Sequence, residues 1–89
     1  MPYTEAKPQT WRAVALLDDR GERLLYLGRS SRQVRDGYAV AFAEVLEEEE
    51  RHHVRAIILE RWDGAADAGR WTHQTDLAVP YRGQVTRSA

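Results

Sequence analysis

The stretch TWRAVALLDDRGERLLYLGRSSRQVRDGYAVAF, residues 10–42, decides the fold because it holds two extended segments, a turn and the start of a helix. Apolar side chains occupy both alternating faces of residues 10–17 beyond Arg12, which predicts a strand buried on two sides. The sequence DDRG at residues 18–21 predicts a turn in which glycine is the left-handed residue, and residues 23–27 return as the second strand of a hairpin. The expected pairs across this hairpin are Leu17 with Arg23, Ala15 with Leu25, and Val14 with Tyr26.

A helix is predicted over residues 31–52. Gly28 ends the second strand, and Ser30 followed by Gln33 has the spacing of a capping box. An apolar stripe then follows helical spacing through Val34, Tyr38, Ala41, Phe42, Val45 and Glu49. Gly37 weakens the helix, and we attribute it to close packing rather than to a hinge. The acidic run at residues 47–50 is expected to lie unfavourably near the negative end of the helix dipole.

Two further strands complete the predicted domain. Residues 54–62 have the continuous apolar centre of a strand in the middle of a sheet, and residues 71–79 alternate as a fourth strand ended by Pro80. Residues 63–69 are expected to form a mobile loop. The predicted fold is therefore a two-layer α+β domain, ββαββ, with a four-stranded antiparallel sheet of order 2-1-3-4 and one helix on one face. It spans residues 10–81, between a flexible lead-in at residues 1–9 and a flexible tail at residues 82–89.

The sheet face without the helix is the predicted interaction surface. Small alanines favour close approach of the helix to one face, which we assign to Trp11, Ala13, Ala15, Leu17, Leu25 and Leu27. The opposite face then presents Val14, Leu16, Leu24 and Tyr26, with either Ile57 and Leu59 or Ala56 and Ile58. This apolar patch exceeds what a monomer normally exposes, so we predict a homo-oligomer or a protein partner. The alternative cover is the chain's own ends, with Trp62, Trp71 and Tyr81.

Composition predicts a small cytoplasmic domain. Its 89 residues are 43% hydrophobic and carry a net charge of −1, without cysteine. The near-neutral charge gives no general argument for binding nucleic acid or membranes, and no run of residues is apolar enough to span a bilayer. The absence of a basic and then apolar leader favours the cytosol.

The residues that could carry chemistry do not form a convincing site. Glu49 and Glu50 with the three histidines could bind a metal, but His52 and His53 are explained by the predicted helix end, and His73 by a half-exposed strand. We therefore predict no catalytic residue, no metal and no cofactor, and expect that the protein is not an enzyme.

Nucleic-acid binding is the alternative function, through Arg12, Arg29, Arg32 and Arg35 around the helix start. Residues 23–42 resemble the second half of the GIY-YIG nuclease module, in which a Tyr-Ile-Gly strand end precedes a helix with a catalytic arginine. The matching positions here are residues 26–28 and Arg35, and residues 58–60 resemble the later strand. Residues 14–16 replace the opening motif, so the resemblance implies a degenerate nuclease.

The same stretch also resembles the sheet and helix of plant ethylene-response DNA-binding domains and of phage-integrase arm-binding domains. Those families share a Tyr-Leu-Gly sequence followed by a helix with alanines and an aromatic residue. This resemblance implies phosphate contacts by the arginines and stacking of Tyr26 on a base.

Overall fold

The computed structural model describes residues 10–80, and these residues form the predicted α+β fold. Two strands, β1 (Trp11–Leu17) and β2 (Glu22–Gly28), precede a main helix, α1 (Ser31–Val45), and a short helix, α2 (Glu48–His52). Two longer strands, β3 (Val54–Ala65) and β4 (Ala68–Leu77), follow. The sheet is antiparallel with order β2-β1-β3-β4, so the predicted architecture is confirmed. The lead-in and tail predicted at residues 1–9 and 82–89, as well as Tyr81, lie outside the described residues.

The core lies between the sheet and α1. Ala13 and Ala15 of β1 are completely buried, and their small side chains let α1 approach the sheet. Phe42 of α1 and Ile57 and Leu59 of β3 are among the largest fully buried side chains. α1 packs against β2 and β1, while β1 and β3 occupy the centre of the sheet. This arrangement explains the near-continuous apolar sequence of those two strands.

The predicted start of the helix is confirmed. Ser30 is the N-cap, and its hydroxyl accepts a hydrogen bond from the Gln33 backbone N–H at 3.1 Å. The Gln33 side chain accepts in turn from the Arg29 N–H at 2.7 Å. Gly37 is explained by packing, because a Cβ there would lie 2.6 Å from the Tyr26 ring. A side chain at position 37 would therefore push the helix off the sheet.

The prediction of one helix over residues 31–52 is wrong. α1 ends at Val45, the backbone of Leu46 and Glu47 is extended, and α2 starts at Glu48. Glu47 is the N-cap of α2, and its N–H donates to the Glu50 side chain at 3.1 Å. The acidic residues thus lie at the positive end of a helix dipole, where they are favourable, rather than at the negative end.

The expected hairpin register is also wrong. The observed pairs are Leu16 with Glu22, Ala15 with Arg23, Val14 with Leu24, and Ala13 with Tyr26, and the shift between the last two pairs marks a β-bulge. The turn places Arg20, not Gly21, in the left-handed region, with φ of 74°. The Leu17 carbonyl accepts from the Arg20 N–H at 3.0 Å, and the Leu17 N–H donates to the Gly21 carbonyl at 2.8 Å.

Residues 63–69 form a hairpin arm rather than the predicted loop. β3 and β4 stay paired out to Ala65 and Ala68, and Ala65 lies four residues beyond Arg61, the last residue of β3 that pairs with β1. The Trp62 indole stabilises this arm, since it donates to the Ala65 carbonyl at 2.9 Å and covers Gly69. The fourth strand consequently starts earlier than residue 71 and ends at Leu77 rather than at residue 79.

Tyr38 joins α1 to the segment that follows β4. Its hydroxyl donates to the Ala78 carbonyl at 2.6 Å. Burial raises the pKa of this phenol, while the nearby Arg35 charge acts in the opposite direction. The neutral, hydrogen-bonding form is therefore favoured in the folded chain.

Candidate protein-interaction surface

The bulge in β2 decides which side chains reach the helix-free sheet face. Leu25 is the extra residue between the pairs of Val14 with Leu24 and Ala13 with Tyr26. Leu25 and Tyr26 both pack against the core under α1, and Leu27 is turned to the other face beside Arg12. The predicted placement of Tyr26 on the helix-free face is therefore wrong, as is that of Leu27 on the helix face. An early signal was the unbroken apolar run LLYL, which does not alternate as a regular edge strand should.

An apolar patch occupies the centre and one edge of the helix-free face. It consists of Val14, Leu16, Leu24, Leu27 and Ile58. The first three were predicted, and Ile58 belongs to one of the two predicted alternatives for β3, whereas Ile57 and Leu59 lie in the core. Leu24 and Leu27 are 47% and 52% exposed, whereas Leu16 and Ile58 are half-buried. Val14 is only 3% exposed although it lies outside the core cluster, and it has Leu24 and Ile58 beside it on the neighbouring strands. Exposure of the patch therefore increases from its centre toward the edge strand β2.

A polar and aromatic cluster limits the patch on the side of the hairpin arm. Arg12 donates to Glu60 at 2.7 Å, and its guanidinium lies 4.1 Å from the centre of the Trp71 ring. Trp62 meets Trp71 edge to face, with ring centres 5.2 Å apart. Arg12 is thus held between a carboxylate and an aromatic face, which ties β1 to both long strands.

The four arginines of the alternative nucleic-acid site do not form one cluster. Arg12 bonds to Glu60 on the sheet, while Arg29, Arg32 and Arg35 are exposed at and beyond the start of α1. Arg32 has a long contact of 4.0 Å with Asp36. Tyr26, the expected base-stacking residue, has its ring against Gly37. The geometry therefore leaves three arginines for phosphate contacts, without the predicted aromatic platform.

An acidic cleft lies at the turn end of the hairpin, away from the patch. It encloses about 440 Å³ and is lined by Leu17, Asp18, Asp19, Arg23, Glu47, Glu49, Glu50 and His53. Arg23 pairs with Glu50 at 2.9 Å, and His53 lies 3.6 Å from Asp18. The hydrogen bond from the Glu47 N–H is the largest cause that lowers the pKa of Glu50, with Arg23 adding to it. These contacts connect α2 with β2, which is a structural role.

The candidate metal ligands lie in two separate places. His73 bonds to Asp76 at 3.0 Å on β4, whereas Glu49, Glu50 and His53 line the acidic cleft, with His53 just before β3 and beside Asp18. Within residues 10–80, no three side chains of the metal-binding types come close enough together to hold an ion.

Comparison of the chain with protein-family models, with curated proteins and with solved structures found no match. No helix within residues 10–80 has the length and apolar character needed to cross a membrane.

Proposed function

We propose that this chain is a small non-enzymatic protein-interaction or assembly module, a homodimer or an accessory subunit, that binds through the apolar patch. The observation that supports this proposal is the exposure of Leu24 and Leu27, 47% and 52%, next to the half-buried Leu16 and Ile58 on one sheet face. Polar side chains normally occupy an uncovered face of an antiparallel sheet. Here neighbouring strands instead present leucine and isoleucine to water, as an interface does.

The free energy of burying each side chain indicates which residues of the patch would contribute most to binding. Complete burial of a leucine side chain is worth about 1.5–3 kcal/mol, so burying the exposed halves of Leu24 and Leu27 would contribute about 2 kcal/mol together. Val14 is already buried and can gain little. The two leucines of β2 are therefore the expected centres of binding energy.

The test is the solution mass of the full chain across a dilution series, measured by light scattering. We expect self-association in the wild type and its loss in Leu24→Glu, because the variant would bury a carboxylate in an apolar contact. Val45→Glu is a matched control, since Val45 is 48% exposed but lies on α1 outside the patch. A wild type that is monomeric at every concentration overturns the homodimer and leaves only the accessory subunit. A Leu24→Glu variant that associates as the wild type does overturns the patch as the binding surface.

A further inference from the structure

We infer that the partner is a second copy of the chain, which pairs antiparallel with the outer edge of β2 and joins the two sheets into one of eight strands. This inference rests on the proposed function, because Leu24 and Leu27 belong to the apolar patch. β2 is an edge of the sheet, and within residues 10–80 no strand pairs with its outer side. Such an edge presents unpaired backbone groups that a further strand can satisfy.

Exposed apolar side chains concentrate at this edge. Four large hydrophobic residues are strongly exposed among residues 10–80, namely Leu24, Leu27, Val40 and Val45. Leu24 and Leu27 lie on β2 itself. Val40 follows Gly37 by about one helical turn, and Gly37 is the residue that contacts Tyr26 of β2. Val40, which is 62% exposed, is thus on the β2 side of α1, so three of the four residues border one edge.

The sequence of β2 is complementary to itself in one antiparallel register. A two-fold axis between Leu25 and Tyr26 places Leu24 opposite Leu27 of the second copy. By the same symmetry, Leu27 lies opposite Leu24 of the second copy. Both leucines lie on the helix-free face because the bulge has changed the alternation between them. The same register places Glu22 opposite Arg29, which directly follows β2, and both side chains are exposed. Apolar and oppositely charged groups therefore match in a single arrangement.

The α1 helices of the two copies also fit this arrangement. α1 packs on β2 and β1 and on no other strand to a comparable extent. The two-fold axis lies midway between β2 of one copy and β2 of the other. If α1 is centred over the gap between β1 and β2, it lies one strand spacing, about 4.8 Å, from this axis. The α1 helices of the two copies would then lie about 10 Å apart, which is close to the spacing of packed helices. Gly37 contacts Tyr26 beside this axis, which puts Val40 of each copy at the helix contact. The second copy would thus cover apolar groups on both sides of the sheet.

The bulge in β2 is the feature that opposes pairing, because bulges twist edge strands away from new partners. In the register above, the two bulges meet at the axis, and regular pairing is left to the segments on either side. The side-chain contacts of Leu24, Leu27 and Val40 must therefore supply much of the association. Substitutions at those side chains are the appropriate test.

The first experiment compares dimer dissociation constants of lysine variants of the full chain by analytical ultracentrifugation. Val40→Lys is expected to weaken the dimer about tenfold or more, since the two lysines would meet across the axis. Val45→Lys, at the C-terminal end of the same helix, should change the constant less than about twofold. Ile58→Lys, which lies two strands from the edge, should also change it less than about twofold. Circular dichroism establishes that each variant is folded.

The second experiment exchanges the charges at the ends of β2. Glu22→Arg is expected to weaken the dimer about tenfold, because it juxtaposes two cations at each of two symmetric sites. The double variant Glu22→Arg with Arg29→Glu should restore wild-type affinity, which a general loss of stability would not do.

The outcomes separate this inference from the proposed function. Sensitivity to Val40→Lys with rescue by the charge exchange supports edge pairing. A dimer that is lost in Leu24→Glu and Ile58→Lys but unaffected by Val40→Lys overturns edge pairing and leaves the proposed function intact. A chain that is monomeric at every concentration overturns edge pairing together with the homodimer of the proposed function.

Discussion

Arg20 adopts a backbone conformation that costs free energy in a residue with a side chain. Its φ of 74° is in the left-handed region, which closes the turn between β1 and β2. This conformation costs a non-glycine residue about 1–2 kcal/mol. Arg20→Gly should remove that cost but lose about 0.5–1 kcal/mol to the greater freedom of glycine in the unfolded chain. The expected net result is a gain of about 0.5–1 kcal/mol in the free energy of unfolding, measured by urea denaturation.

Arg20→Ala is the control for this prediction, because alanine removes the guanidinium and keeps the unfavourable backbone conformation. A gain in Arg20→Gly that is no larger than the change in Arg20→Ala would contradict the backbone explanation. The side chain of Arg20 is exposed, so neither substitution disturbs the core.

Single residues also mark the limit of what the sequence could predict about the site. Val14, Leu16 and Leu24 were placed correctly on the helix-free face by alternation, whereas Tyr26 was misplaced and Leu27 was missed from the patch. The reason is the bulge at Leu25, which costs little locally and is favoured when Leu25 and Tyr26 both pack beneath α1. That advantage depends on tertiary contacts, so the run LLYL indicates an irregular strand but not the residue at which the alternation changes.

At the scale of elements, the boundary between α1 and α2 shows how one pattern can fit two structures. Four consecutive glutamates are good helix formers, so residues 47–50 were compatible with one long helix. They are equally compatible with a new helix start, where Glu47 and Glu50 form a reciprocal cap. Leu46 resolves the choice, because its burial in the core requires an extended backbone at that point.

Glu50 connects α2 with β2, and its carboxylate makes the connection sensitive to pH. Hydrogen bonds from the Glu47 N–H and from Arg23 lower the pKa of Glu50 below its ordinary value of 4.5. The folded state therefore favours the charged form. The resulting stability is present above pH 4.5 and is lost as the pH falls through the lowered pKa of the folded state.

We accordingly expect Glu50→Gln to be less stable than the wild type at neutral pH, and the difference to shrink in acid. Urea denaturation of both chains at a series of pH values measures this difference. Glu44→Gln, an exposed position on α1, is the control for the loss of one negative charge. A difference between wild type and Glu50→Gln that is the same in acid and at neutral pH would show that the carboxylate contacts are not responsible.

At the scale of the whole molecule, connectivity predicted the strand order but not the length of the longest hairpin. The order 2-1-3-4 follows from a right-handed crossover and a central apolar strand, both of which are visible in the sequence. The arm beyond Trp62 was predicted as a loop because residues 63–69 are all glycine, alanine or aspartate. Its strand pairing depends on Trp62 lying over Gly69, a contact between residues seven positions apart that composition does not indicate.

The free energy of unfolding of a domain of this size is small, because the apolar surface buried in a small core only modestly outweighs the conformational entropy lost on folding. Surface buried by association therefore adds substantially to its stability. If two copies pair through β2, unfolding and dissociation are linked, and the thermal midpoint must increase with protein concentration. We expect an increase of about 5 °C for each tenfold rise in concentration, given the unfolding enthalpy typical of two chains of this length. Differential scanning calorimetry over a concentration series measures this dependence. Val40→Lys should reduce the dependence and Val45→Lys should retain it, because Val40 lies one turn from the contact of Gly37 with Tyr26 and Val45 lies at the end of α1. Identical thermal midpoints at all wild-type concentrations would contradict a dimer that contributes to the stability of the fold.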